Sequence, residues 1–293
     1  MASFHEILDH LTRSHPTLSP QLRKAATFIL ENPGDVATLS MRKVAAAADV
    51  PPPTLPRLAQ ALGFDTYDAF RDLYRRQFQQ QSHGYSEQAG RLQQRPSGNN
   101  MSGLWGAFGQ ASLANLEQLF AATDPAVVDK AADHILAART VYIAGMQASF
   151  AFADYFQYVG YMARPNWVLV RNRNGVLADW VVNMDKEDTL VAIALRPCAR
   201  DTIRLAEMAQ NRGTKIIGIT DSRASPLAAR SDLVLTVPTQ SPQFFESYVA
   251  AAALLEALIG FVVAKSDGDV VQAIDAVERC RHDLGEYWEE KGT

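Results

Sequence analysis

The hydrophobic positions of the first eighty residues repeat with the period of an α-helix and not with the period of a strand. One predicted helix begins at Pro20, where a missing N–H costs nothing, and ends before Pro33, because the residue that precedes a proline avoids helical backbone angles. Three more helices are predicted over 41–48, 53–62 and 67–81. We therefore expect this part of the chain to form an all-α domain.

Beyond residue 104 the pattern changes to short apolar runs that alternate with helices. The runs are rich in valine, isoleucine and leucine, which is typical of parallel strands buried on both faces of a sheet. Five such strands are predicted, over 140–145, 167–170, 190–195, 215–221 and 233–238. The predicted fold class is α + α/β, with an N-terminal all-α domain and a C-terminal α/β domain built on a five-stranded parallel sheet.

A polar segment separates the two patterns. Between residues 79 and 100 the composition is dominated by Gln, Ser, Gly, Arg and Asn, which is typical of a linker. We therefore predict a helical domain over 1–80, a linker over 81–103 and an α/β domain over 104–293.

Composition narrows the class of protein. The formal net charge of −4 excludes a uniformly basic nucleic-acid coat, but not one small DNA-binding domain, whose field is local. Two cysteines, Cys198 and Cys280, are too few for a disulfide framework or a zinc cluster. The N-terminus has no charged segment followed by an apolar run, and the most apolar stretch, 248–264, is interrupted by Glu256. A cytoplasmic protein with no membrane partner is expected.

Residues 40–63 have the proportions of a helix-turn-helix, in which the second helix enters the major groove of DNA. The inward side of that helix is a stripe of three leucines, Leu55, Leu58 and Leu62. The predicted base contacts are the polar residues Thr54, Arg57 and Gln60, because arginine suits guanine, glutamine suits adenine and threonine suits phosphate or a thymine methyl group. The predicted phosphate contacts, at the N-terminus of the preceding helix, are Ser40, Arg42 and Lys43. The alternative is a helical dimerisation domain whose polar face is only solvated.

The stretch from Leu18 to Arg75 resembles the N-terminal domain of the RpiR/MurR family of bacterial transcription regulators. The matching marks are Leu18-Ser19, the Ile-Leu-Glu-Asn-Pro run over 29–33, Thr54, Arg57, the Leu-Gly-Phe run over 62–64, Tyr67 and Phe70. The resemblance implies binding to a double-stranded DNA operator. The sequence departs from the family at the recognition helix, where Pro51, Pro52 and Pro53 replace the usual serine cap and Pro56 stands inside. We expect this helix to start near Pro53 or to have a distorted first turn.

The alternating part of the chain resembles the sugar isomerase (SIS) fold that the same family carries at its C-terminus. That fold has a G-x-G-x-S loop after its first strand, and here Gly145 and Ser149 match while Gln147 replaces the second glycine. Ligands of open α/β sheets bind at the carboxyl ends of the strands. The resemblance thus implies an effector site that includes Gly145, Gln147, Ser149, Ser222 and Glu246.

The loop after the third strand does not match the family. Its expected hydroxyl residues are absent, and Arg196 and Arg200 stand in their place. A guanidinium group can bind a carboxylate, sulfonate or phosphate through two hydrogen bonds, so both arginines are predicted to contact a small anionic effector. A carboxylate or sulfonate is expected in preference to a hexose phosphate, and a metabolite related to a sugar phosphate stays open as the alternative. The alternative is a pair of surface charges at a helix start, paired with Asp201 or Glu207.

The function predicted from these observations is a transcriptional regulator whose SIS-like domain senses a small anionic metabolite. No catalytic, cofactor or metal site is expected, because no histidine falls in a predicted strand-end loop and no nucleotide-binding or Ser-His-Asp motif is present. A homodimer or homotetramer is expected, since paired half-sites multiply the specificity of one short helix. The alternative is a SIS-type sugar phosphate isomerase with a helical appendage, for which Glu246 is the plausible base.

Overall fold

The computed structural model describes residues 7, 10–11, 13–32, 36–37, 39–82, 85–93, 101–171 and 177–288. The chain divides into two compact units, Met1–Pro96 and Ser97–Thr293. The described residues of the first unit form helices and turns, and those of the second form an α/β structure. The predicted fold class is therefore confirmed.

The first unit is a set of short helices packed around one apolar core. A 3-10 turn at His15–Thr17 precedes α1 (Pro20–Glu31), α2 (Met41–Ala47), α3 (Thr54–Ala61), α4 (Tyr67–Ser82) and α5 (Tyr85–Gln93). The core side chains that are almost fully buried include Leu11, Ile29, Val44, Leu55, Leu58, Phe70 and Tyr74. The inward leucine stripe predicted for the third helix is part of this core.

The segment predicted as a linker is helical over part of its length. Helix α4 continues to Ser82, and residues 85–93 form α5. Within this polar segment, Glu87 and Arg91 lie one helical turn apart and form an ion pair of 3.0 Å. Such a pair stabilises a helix, although the overall composition is that of a linker. Residues 94–100 lie outside the described residues.

The second unit alternates helices and strands. It consists of α6 (Met101–Ala122), α7 (Pro125–Ala137), β1 (Val141–Gly145), α8 (Ser149–Ala163), β2 (Trp167–Leu169), α9 (Ala178–Val181), β3 (Thr189–Ala194), α10 (Arg200–Asn211), β4 (Lys215–Thr220), β5 (Leu233–Thr236), α11 (Val249–Lys265) and α12 (Asp269–Asp283). All five strands are parallel, in the order β2-β1-β3-β4-β5. The strand order reverses between β1 and β3, which is where a sheet of this kind leaves a crevice for a ligand.

Helices cover both faces of the sheet, as the continuous apolar strands require. Val141 and Ile143 of β1 belong to one core cluster, with α7, α8 and α11, whereas Tyr142 and Ala144 belong to the opposite cluster, with α9 and α10.

Among the described helices, none is by itself long and apolar enough to cross a membrane, and only α11 and α12 taken together, with a bend of 117° between them, have that length and composition.

Candidate functional site

The helix-turn-helix is built from α2, a tight turn and α3. Ser40 caps α2, since its hydroxyl accepts a hydrogen bond of 3.4 Å from the backbone N–H of Lys43. The chain then turns at Asp49, whose φ of 50° lies in the left-handed region that aspartate tolerates better than most residues. An ion pair with Lys24 holds this aspartate and lowers the pKa of its carboxyl. The backbone conformation of Asp49 and its ion pair with Lys24 together stabilise this turn.

The three prolines before α3 provide carbonyl oxygens for its first turn. Thr54 N–H donates to Pro51 O at 2.9 Å, and Leu55 N–H donates to Pro52 O at 3.3 Å. Pro56 is the third residue of α3, a position whose N–H has no partner within a helix in any case. The helix is consequently regular from Thr54, which agrees with the late start that the prolines predict.

Two of the three residues predicted on the polar side of α3 are exposed to solvent. Arg57 and Gln60 are exposed, whereas Thr54 is buried, with a relative exposure of 7%. The placement of Thr54 among the exposed base-contacting residues is therefore wrong. Thr54 and Leu58 are four residues apart and share a helix face, so the threonine turns with the leucine into the core. Arg42 and Lys43 are exposed at the N-terminal end of α2.

In the second unit, the loop after β1 supplies the first part of the candidate effector site. A side chain on Gly145 would lie 2.5 Å from the backbone oxygen of Ser149, so only glycine fits there. Gln147 has a φ of 56°, and it therefore keeps the backbone conformation typical of the glycine that it replaces. Ser149 is buried at the start of α8, and its hydroxyl lies 3.1 Å from the hydroxyl of Tyr248.

The loops after β3 and β4 supply the second part. The Nε of Arg196 donates a hydrogen bond to the carboxylate of Asp221, whose side chain is only 2% exposed. Arg196 is predicted from the sequence to be a cation available to a ligand, but its charge is already matched by Asp221 inside the protein. Arg200 differs, because it is exposed at the first position of α10. The two predicted effector-binding arginines therefore differ, since Arg196 is paired with a buried carboxylate and Arg200 is exposed to solvent.

Glu246 lies close to this ion pair. Burial raises the pKa of the Glu246 carboxyl above its ordinary value, the negative charge of Asp221 raises it further, and a hydrogen bond with Thr239 opposes both effects. Ser222 is buried beside Asp221, and its hydroxyl accepts a hydrogen bond of 3.1 Å from Ala224 N–H. We call Ser149, Arg196, Asp221, Ser222, Glu246 and Tyr248 the strand-end cluster.

Two members of the strand-end cluster were missed by sequence reasoning. Asp221 directly follows β4, and that position at the end of a parallel strand is the signal that could have singled it out. Tyr248 precedes the long apolar helix α11 and stacks on Phe152, with ring centroids 4.4 Å apart. No sequence spacing links Tyr248 to Ser149, which lies 99 residues earlier.

The segment that carries Glu246 and Tyr248 is tied to helix α6. The side chain of Asn115, only 1% exposed, donates to Gln240 O at 2.7 Å and accepts from Gln240 N–H at 3.1 Å. A hydrogen bond of 3.1 Å from Ser247 N–H to Thr239 O also joins the two ends of this segment. We call the first pair of hydrogen bonds the Asn115 clasp.

Comparison with known families matches both units. A model of the helix-turn-helix domain of the rpiR family matches residues 5–81, and a model of the SIS domain matches residues 134–260. The chain combines a helix-turn-helix domain of the rpiR family with a SIS domain. It is a DNA-binding transcriptional regulator, and residues 40–63 lie inside the matched helix-turn-helix domain. Likewise β1, β3, β4 and Glu246 lie inside the matched SIS domain.

One transcriptional regulator and two solved structures are similar to this chain. The HTH-type transcriptional regulator HexR of Pseudomonas aeruginosa is 24% identical over 233 residues, which cover 79% of each chain. The NanR protein of Vibrio vulnificus, solved in complex with ManNAc-6P, has a similar fold, with a TM-score of 0.57, 18% identity and coverage of 95% of this chain and 98% of that one. The sugar isomerase domain of an RpiR transcription factor from Sphaerobacter thermophilus has a TM-score of 0.56 at 23% identity, covering 59% of this chain and 96% of that one.

Proposed function

We propose that the strand-end cluster binds a small anionic metabolite and that its binding changes the affinity of the helix-turn-helix for operator DNA. The observation that carries the proposal is the meeting of polar side chains from three adjacent strand ends. Ser149 follows β1, Arg196 follows β3 and Asp221 follows β4. These loops flank the point where the strand order reverses, the usual ligand position in such sheets.

The cluster offers both the groups that bind an anion and the groups that bind hydroxyls. The hydroxyl of Ser149 and the backbone N–H groups at the start of α8 suit a phosphate or carboxylate. Glu246 and Asp221 are acceptors for ligand hydroxyls. Because Asp221 already neutralises Arg196, a carboxylate or sulfonate has no clear advantage over a sugar phosphate at this site. Sugar phosphates become the leading class, in keeping with the ligand named for NanR.

A matched pair of probes tests the effector proposal. We expect glucose 6-phosphate and N-acetylmannosamine 6-phosphate to raise the melting temperature, because a ligand present at about a hundred times its Kd adds about 2.7 kcal/mol to the stability. Glucose, which lacks the phosphate, should have little effect. Arg200 is proposed to contact the anion beside the strand-end cluster, so Arg200→Ala should weaken the response, while Arg204→Ala, one turn further along α10, should leave it unchanged. Equal stabilisation by glucose and its phosphate, or no response to either phosphate, would contradict the proposal.

We propose further that the ligand is bound and not converted. A SIS-type isomerase is the competing function, and Glu246 favours it, because burial raises the pKa of this carboxyl above its ordinary value and a carboxylate can act as a general base. Proton NMR of the same sugar phosphates during incubation with the protein separates the two functions. Formation of an isomer that disappears in Glu246→Gln would establish the enzyme.

DNA recognition is proposed to rest on Arg57 and Gln60 for bases, with Ser40, Arg42 and Lys43 for phosphates. Arg57→Ala should cost about 1–3 kcal/mol of specific binding, mainly as lost discrimination between operator and unrelated DNA. Arg42→Ala should weaken binding to every sequence and reduce the dependence on salt. Mobility shifts with the promoter next to the gene, compared with scrambled DNA, measure both effects. If Arg57→Ala binds as selectively as the wild type, α3 is not the recognition helix.

The remaining proposals concern organisation. The first unit is the DNA-binding domain and the second is the effector domain, with the junction inside residues 81–103. A homodimer or homotetramer places two recognition helices on paired half-sites of a palindromic operator. Such a regulator acts in the cytoplasm, where the DNA is.

A further inference from the structure

Helix α6 has an unusual surface for a helix exposed to water. It is 22 residues long, and Glu117 is its single charged residue. Only Asn115 and Leu119 of this helix are buried. A helix at the surface of a monomer normally has charged residues opposite its buried side, and a helix that is apolar all round is normally buried.

The exposed side of α6 is lined by large apolar residues. Their relative exposures are 81% for Trp105, 75% for Met101, 64% for Phe120 and 62% for Leu113. With 3.6 residues per turn, Trp105, Leu113 and Phe120 project within an arc of about 80° and extend over about 22 Å of the helix. We call Met101, Trp105, Leu113 and Phe120 the α6 stripe.

The area of the α6 stripe is that of an interface. A tryptophan or phenylalanine presents about 150–250 Å² each, so the four side chains together expose roughly 500 Å². Contiguous apolar patches of this size mark interaction sites on soluble proteins. A stable interface buries about 800 Å² per partner, so the α6 stripe alone would supply more than half of that area.

We infer that the α6 stripe binds the same stripe of a second copy of the chain. Two identical apolar helices related by a twofold axis pack against each other with few charges to keep in water, because Glu117 is the single charged residue of α6. The DNA-binding unit offers little apolar surface as an alternative cover, because Tyr85 is its only large hydrophobic side chain that is exposed among the described residues. Gly109 lies on the same side of α6, and nothing lies within 4 Å of the position of a side chain there, which allows a close approach of two helices.

The inference rests on the proposed homo-oligomer and adds the surface through which it forms. It does not depend on the identity of the metabolite, because none of the residues of the α6 stripe belongs to the strand-end cluster. Cover by the chain's own DNA-binding unit and cover by an unrelated protein are the other occupants, and both predict that substitutions in the α6 stripe leave the oligomeric state of the purified chain unchanged.

Light scattering after size exclusion, over a range of concentrations of the full chain, tests the inference. The wild type should be dimeric or larger, and Trp105→Glu and Leu113→Glu should each raise the dissociation constant at least about a hundredfold, since the charge would be buried twice at a symmetric interface. Val271→Glu on α12 is the matched control, because Val271 is 67% exposed and lies outside α6. This variant should assemble like the wild type.

Two outcomes overturn the inference, and they differ in whether they also contradict the proposed homo-oligomer. A monomeric wild type overturns both the homo-oligomer and the α6 interface. A dimeric wild type whose Trp105→Glu and Leu113→Glu variants also stay dimeric leaves the homo-oligomer standing and overturns only its location. If these variants fail to fold, oxidative cross-linking of Leu113→Cys in a Cys280→Ser background replaces them. A disulfide-linked dimer is expected there, and its absence, or an equal yield from Val271→Cys, also overturns the α6 interface.

Discussion

Arg196→Ala is expected to lower the free energy of unfolding of the α/β unit by about 3–5 kcal/mol, because it removes the cation that pairs with a buried carboxylate. The side chain of Asp221 is 2% exposed, and that of Arg196 is 27% exposed, so water replaces the lost guanidinium only in part. A loss of this size is a large share of the stability of a typical domain, which is about 5–15 kcal/mol. Denaturant unfolding followed on the full chain measures it.

Arg200→Ala is the matched control for this experiment, because Arg200 is exposed in the same loop region and its removal should change stability by less than about 0.5 kcal/mol. In an Asp221→Asn background, Arg196→Ala should cost less, and the difference gives the coupling between the two side chains. Equal stabilities of Arg196→Ala and Arg200→Ala would show that the ion pair contributes nothing. Arg196→Ala is consequently a poor probe of ligand binding, and Arg200→Ala is the better one.

Gly160→Ala should destabilise the α/β unit by about 3 kcal/mol, the upper end of the usual range for an overpacked core. Gly160 lies in α8 against β2, and a side chain there would overlap the indole ring of Trp167. That ring is 2% exposed and also packs on Phe156, with ring centroids 4.8 Å apart, so it has little room to retreat. Thermal unfolding of the full chain measures the loss.

Gly260→Ala is the control for Gly160→Ala, since both glycines lie inside helices and only their surroundings differ. Gly260 is exposed in α11, and nothing lies within 4 Å of the position of its missing side chain. Alanine is the better helix former by about 1 kcal/mol, so this variant should be more stable than the wild type. Destabilisation by both variants to the same extent would mean that contact with Trp167 is not the cause.

The elements that were predictable from the sequence are those whose signal is local. The five strands follow from continuous β-branched runs, and the cap at Ser40 and the late start of α3 follow from single residue types with fixed backbone preferences. Thr54 was misplaced because it lies at the border between two faces of α3, where one helical step decides between core and solvent. Residue type alone does not settle such a position.

The parts that were not predictable depend on contacts between distant residues. Arg196 meets Asp221 because β3 and β4 are neighbours in register, so their following loops come together. The sequence indicates a charged loop, but not which carboxylate enters it. Ser149 and Tyr248 likewise meet only because α8 and α11 pack side by side on the sheet. The polar residues at the end of each strand could thus be predicted from the sequence, but the contacts between residues of different loops could be identified only from the fold.

The Asn115 clasp has a consequence for signal transmission. It joins α6 to the segment that carries Glu246 through two hydrogen bonds, because an asparagine amide can donate and accept at the same time. A ligand that binds Glu246, as we propose, would therefore displace α6 as well. If two chains meet through α6, that displacement changes the angle at which their helices cross. The spacing of two recognition helices along DNA would then report the occupancy of a site that lies in another unit of the chain.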